Sequence, residues 1–307
     1  MLRIYEIFTE ILLPIFLMII AGYGIQKKFN LQLGPLIKVQ LYLFIPALIF
    51  YKIATSNLEG SMVILISGFT VALFFILMAI SWFLARIFNL DKKKEKAFVN
   101  AITLRNQGNF GIPLMTLLYA GMGDNYGLSI HMIVLFTTNL LLNTFGLYNA
   151  SSGSYTRKEA AIKVLRLPMI YVVIAGFVFK GFRLSIPGPF ESTLSILGNA
   201  VVPLALFTLG AQLANTKFKL TDKSLPIAVM MRLVISPILA WLLVLIVGIQ
   251  GITAEVLIIG AAAPTAVNSV LFAMEFNGDA EYASETVMVT TLLSALTVTL
   301  TILLVKG

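Results

Sequence analysis

The chain of 307 residues has no cysteine, one histidine and few charges, with only 12% of its residues Asp, Glu, Lys or Arg. Without cysteine, disulfides, thiolate metal sites and cysteine nucleophiles are excluded. An H-E-x-x-H site, a P-loop and a nucleophile elbow are also missing, so neither a catalytic residue nor a metal ligand set can be named. A soluble chain carries roughly twice this charge fraction. No acidic residue sits deep in any apolar stretch; Glu275 and Glu285 lie near the ends of the last two. The first stretch is not followed by an Ala-x-Ala cleavage pattern and reads as a retained helix rather than a signal peptide. What is abundant is apolar surface: 59% of residues are hydrophobic and the mean hydropathy is +0.94.

Ten apolar segments fall near residues 5–26, 34–52, 61–88, 97–121, 125–148, 166–182, 190–214, 223–248, 254–276 and 281–305. Most reach the ~20 residues that a helix needs to cross the hydrocarbon, although the sixth is short. The expected fold class is therefore an all-α polytopic membrane protein with ten transmembrane helices. A net charge of +8 could suggest nucleic acid, but the cations sort by side of the membrane. With loops alternating, fifteen of the 22 Lys and Arg, including Lys27, Lys28 and Lys92 to Lys96, fall on one side. Five, Arg3, Lys52, Lys180, Arg183 and Lys306, fall on the other. The positive-inside rule makes the first side cytoplasmic, with both termini outside a plasma membrane and the bilayer, not nucleic acid, as partner.

Every proline of the first half has a counterpart in the second. Pro14 with Ala21-Gly22-Tyr23 matches Pro168 with Ala175-Gly176-Phe177, and Gly34-Pro35 matches Gly188-Pro189. Pro46 to Phe50 resembles Pro203 to Phe207, and Pro113 resembles Pro264, giving offsets of 154, 154, 157 and 151 residues. Thr137-Thr138 and Thr290-Thr291 add weaker support. Five helices per copy is an odd number, so the second copy must enter from the opposite face: two inverted five-helix repeats. The expected division is 1–148 for the first repeat, 149–165 for a polar cytoplasmic linker and 166–307 for the second.

The fourth and ninth segments are each broken by an asparagine and a proline in opposite order, Asn109-Phe110-Gly111-Ile112-Pro113 and Pro264-Thr265-Ala266-Val267-Asn268. Backbone left unpaired at membrane depth costs several kcal/mol per group and persists only where protein or a wet cavity satisfies it. Paired breaks in matching halves point to a transport site where helices 4 and 9 cross. Pro113 suits the first turn of a second half-helix and Asn109 its cap. Inward helix N-termini favour an anion, and Asn106, Gln107, Gly108 and Asn268 stand beside the crossing. The blander reading is that each proline kinks a helix and each asparagine repairs the freed backbone; the matched repeat weighs against it.

Arg105 lies about eight residues, roughly 12 Å, into the fourth segment, and Arg232 about as deep in the eighth. Each either snorkels to the cytoplasmic face or has a partner inside. His131 could relay a proton or simply pack, and Asn139 and Asn143, one turn apart, could face a cavity or bond between helices. A cavity with two inward N-termini and an arginine favours a small organic anion, in particular a carboxylate. Gly121-Met122-Gly123-Asp124 matches an aspartyl protease pattern. It lacks a second membrane-embedded aspartate, since Asp91, Asp222 and Asp279 fall in loops.

Asn109 to Pro113, Pro203 to Gly210, and Ala263 to Asn268 followed by Ala273 and Gly278-Asp279 resemble the auxin efflux carrier family as found in bacteria, over essentially the whole chain. The resemblance implies a fold similar to bile acid sodium symporters, with helices 1, 2, 6 and 7 as scaffold and 3–5 and 8–10 as transport domain. It also implies that Asn109, Pro113, Pro264 and Asn268 line the substrate site, that two protomers pair, and that the cargo is malate, malonate or an auxin-like acid. The plant family's long central hydrophilic loop is missing, so phosphorylation control is not expected. The expected function is elevator-type alternating access by a secondary transporter. A channel-like anion pore is the alternative. Sodium coupling, proton coupling and uniport are all left open, with no cofactor.

Overall fold

The computed structural model describes residues 4–119, 126–151, 159, 162, 164–216 and 222–306. The Gly121 to Asp124 pattern and most of the polar linker lie outside them. Seven helices are long and apolar enough to cross a membrane: α1 (Ile4–Phe29), α2 (Leu33–Ala54), α3 (Gly60–Ile87), α6 (Tyr126–Ser151), α8 (Gly188–Ala214), α9 (Leu225–Val247) and α12 (Ala280–Lys306). Shorter helices complete the order: α4 (Lys92–Thr103), α5 (Ile112–Leu118), α7 (Pro168–Gly181), α10 (Gly251–Ala261) and α11 (Asn268–Glu275). Among the described residues there is no strand. The expected fourth and ninth spans are each two short helices, α4 with α5 and α10 with α11. α4 starts at Lys92, five residues before the expected 97, because the Asp91 side chain caps it by accepting from the Lys93 and Lys94 amides at 3.0 and 3.1 Å.

The prolines shape these helices in a consistent way. Stretches of wide i→i+5 turns occur at Ile7–Leu12, Gln40–Phe44, Gln107–Gly111 and Met231–Ile235, and each runs up to a proline, Pro14, Pro46, Pro113 and Pro237. A proline ring clashes with the carbonyl four residues back and offers no amide to it. Widening the preceding turn relieves the clash without ending the helix. A fifth wide stretch, Leu142–Gly146, has no such proline and ends on glycine.

Two helix pairs approach closely. α1 packs along α8 and α7 along α2. A Cβ on Gly22 would collide with the Phe207 carbonyl, and one on Gly210 with the Ile19 carbonyl, so this contact is backbone on backbone. In the other pair a Cβ on Gly176 would stand 2.9 Å from Ile53 and 3.5 Å from the Phe50 carbonyl. Large apolar side chains such as Leu17, Ile20, Phe83, Ile246 and Leu304 are exposed along the outer faces of the spans. Apolar surface on that scale requires lipid rather than water, and the molecule is an integral membrane protein.

Candidate functional site

The two breaks meet. Just beyond the ends of α4 and α10 the chain leaves the helix for a few residues, and these stretches bridge antiparallel at Arg105 and Thr265. The Asn106 amide donates to the Pro264 carbonyl and the Ala266 amide to the Leu104 carbonyl, both at 2.8 Å. Side chains satisfy the carbonyls that α4 and α10 leave free at their ends. Thr265 Oγ1 donates to Ala101 at 2.8 Å, Gln107 Nε2 to Gly260 at 2.8 Å, and the Thr290 hydroxyl accepts the Thr265 amide at 3.2 Å. Arg232 does not snorkel. It is 0% exposed, its Nη1 donates to the Ile102 carbonyl, and its Nη2 donates to the Ala261 carbonyl and to Ser236 Oγ. The depth of Arg232 was legible, but its partners are helix ends that only packing brings to it.

Beside the crossing is a cavity of about 140 Å³. It is small against the ~300–1,000 Å³ usual for drug-sized ligands. Arg105, Asn106, Gln107, Gly108 and Asn109 line it from one break, and Ala266, Val267, Asn268 and Leu271 from the other. α6 adds Leu135, Thr138, Asn139 and Leu142, while Gln40 on α2 and Gln212 on α8 close the far wall with apolar neighbours. Arg105 is the one ionisable side chain in this lining and no carboxylate is present. It is 3% exposed, yet its Nε and Nη2 have no protein partner. Asn106 Nδ2, Gln107 Oε1 and Thr138 Oγ1 are likewise buried and unpartnered. Buried polar atoms are nearly always satisfied, so this concentration of mostly donor atoms around one cavity asks for a ligand.

Asn106, not Asn109, caps the second half-helix: its Oδ1 accepts from the Asn109 amide at 3.1 Å, because the wide turns before Pro113 move the start of the helix back to Gln107. Asn109 instead reaches across. Its Oδ1 accepts from Gln40 Nε2 at 2.8 Å, its Nδ2 donates to Gln212 Oε1 at 3.5 Å, and Thr208 donates to Gln40 Oε1 at 3.2 Å. Gln40, Thr208 and Gln212 escaped sequence reasoning; a glutamine inside an apolar span was the one signal available. Pro113 and Pro264 are buried outside the cavity lining. They free the backbone on which the site is built. Asn139 lines the cavity and bonds back to Leu135 O at 2.9 Å, whereas Asn143 bonds back to Asn139 O and stands outside it. Both are i−4 bonds within α6. His131 also lies outside the lining. Its Nε2 is 3.0 Å from the Gln107 carbonyl, which can only accept, so Nε2 carries the proton and the ring braces the break. A Cβ on Gly111 would press on that ring at 2.8 Å.

A family model described as "Membrane transport protein" matches residues 7–160 and again 149–302. The chain belongs to this family, the auxin efflux carriers. Its similarity to a "Putative malonate transporter" of Rhizobium meliloti is 25% identity over 97% of this chain and 96% of that protein. An "Uncharacterized transporter" of Methanothermobacter thermautotrophicus is 26% identical over 93% and 94%, and one of Methanocaldococcus jannaschii 24% over 95% and 96%. This carrier is thus a membrane transporter and not an enzyme, and the crossing with its cavity is the candidate place for its solute.

Proposed function

We propose that the carrier moves a small organic anion, a carboxylate of the size of malonate or malate, across the plasma membrane by elevator-type alternating access. One observation supports the substrate class above the rest: Arg105 is buried in the cavity wall with free Nε and Nη2, between the first turns of two half-helices and with no carboxylate beside it. A guanidinium edge is matched to a carboxylate, and inward helix N-termini add to the attraction. The name of the Rhizobium relative agrees with this reading.

In this reading the chain is two inverted five-helix repeats. Gly22 meets Phe207 while Gly176 meets Phe50, and these four are counterparts in the sequence repeat with their roles exchanged. The family model matches each half separately. α1, α2, α7 and α8 form the scaffold through which two protomers pair, and both termini lie outside. The remaining helices travel with the crossing, and the bonds that Asn109 accepts from Gln40 and donates to Gln212 are the seam that opens.

The test is thermal stabilisation of the purified carrier by malonate, malate, longer dicarboxylates, monocarboxylates and matched amines. A ligand of the folded state at a hundred times its Kd stabilises by ~2.7 kcal/mol. Small carboxylates should stabilise and also drive uptake into proteoliposomes; stabilisation by the amines alone would overturn the proposal.

A further inference from the structure

Two half-helices, α4 and α10, end inside the protein with their C-termini facing each other. A helix C-terminus carries about half a negative charge on unpaired carbonyls, and in transporters built on broken helices such ends are where a coupling cation binds. Here the oxygens of Ile102, Ala261 and Ser236 all point at one group, the guanidinium of Arg232. Ser236 also donates to the Ala261 carbonyl at 3.0 Å, so the cage is tied together around it. Arg232 forms no salt bridge among the described residues; helix ends are its counter-charge. The wide turn before Pro237 carries it.

We infer that Arg232 is a resident cation: it fills the carbonyl cage in which a carrier of this build would lodge sodium, so the crossing holds together and binds its solute without that ion. Resting on the transporter reading, the inference narrows the choice of coupling. Sodium has no vacancy where α4 and α10 end, so coupling through a cation lodged at these two helix ends is ruled out by the side chain already there. Arg232 is a positioning residue, standing behind the cavity wall and fixing the two ends from which Arg105 and Thr265 continue.

Melting of the purified carrier in sodium chloride and in choline chloride tests this without any solute. Wild type should melt at the same temperature in both. Arg232→Ala should melt lower in choline and recover, saturably, on addition of millimolar guanidinium or of sodium, since the vacated cage then accepts an external cation. Arg232→Lys, which keeps a tethered charge, should be insensitive to sodium. If Arg232→Ala does not fold, Arg232→Gln, which keeps amide donors without the charge, should show the gain in sodium response. Saturable stabilisation of wild type by sodium, wild-type melting of Arg232→Ala in choline, or no cation response in a folded neutral variant would each overturn the inference. A mistaken solute shows separately, as failure of carboxylates to stabilise wild type in either salt.

Discussion

Replacing Arg105 by methionine should move binding and stability in opposite directions. The side chain keeps an apolar stem that ends about where Nε stood and loses the guanidinium. A hydrogen bond to a charged group contributes ~1.5–3 kcal/mol, which is roughly a 10- to 150-fold loss in affinity for a carboxylate. In the empty carrier the balance reverses. Nε and Nη2 of Arg105 are buried without partners, and each such donor costs ~1–3 kcal/mol. Removing them should therefore leave the apo protein at least as stable as wild type. Arg105→Lys should fall between, since an ammonium keeps the charge but not the planar fork. Equilibrium binding of radiolabelled malonate and ligand-free melting, on the same preparations, read both sides. Malonate affinity within twofold of wild type in Arg105→Met would refute the reasoning, and so would a marked loss of apo stability, because the side chain would then have a structural partner.

Three other outcomes follow from the geometry. Asn109→Ala removes the bonds to Gln40 and Gln212 and should abolish malonate uptake while insertion and folding persist; normal uptake would contradict the seam. Gly210→Ala puts a methyl group into the Ile19 carbonyl and should lower the melting temperature far more than Gly24→Ala, where nothing lies within 4 Å. Asp222 pairs with Lys94 at 2.6 Å. Partial burial alone would raise its pKa, but hydrogen bonds from Lys94 and Ser224 outweigh that and hold it below the ordinary 3.8. A lowered carboxyl contributes stability above its unfolded value and loses it as pH falls through the folded one. The same bond raises Lys94, whose contribution is lost only as pH climbs through its folded value above 10.5. Melting should thus be flat with respect to this pair across neutral pH and weaken in acid, by under ~1 kcal/mol for so exposed a pair. Asp222→Asn should remove that acid component.

Much of this architecture was legible because proline is hard to hide in an apolar helix. Pro113 and Pro264 marked both breaks, and the observed helices begin and end close to the segments read from hydropathy. The cap was misassigned to Asn109 because the wide turns before Pro113 have no sequence signature of their own and shift the helix start by several residues. The depth of Arg232 leaves snorkelling and an internal partner both open; depth says nothing about which carbonyls will face a side chain once α4 and α10 pack against α9. The meeting of Gln40 and Gln212 with Asn109 is hidden for the same reason, since it depends on how α2 and α8 lie against the break.

The antiparallel bridge between Arg105 and Thr265 has a mechanical consequence. Prising the two stretches apart would leave the Leu104 and Pro264 carbonyls and the amides opposite them unpaired in a medium where each costs several kcal/mol. Under the proposed alternating access the clasp would therefore stay shut, and both broken helices would be hauled along as a single piece of freight.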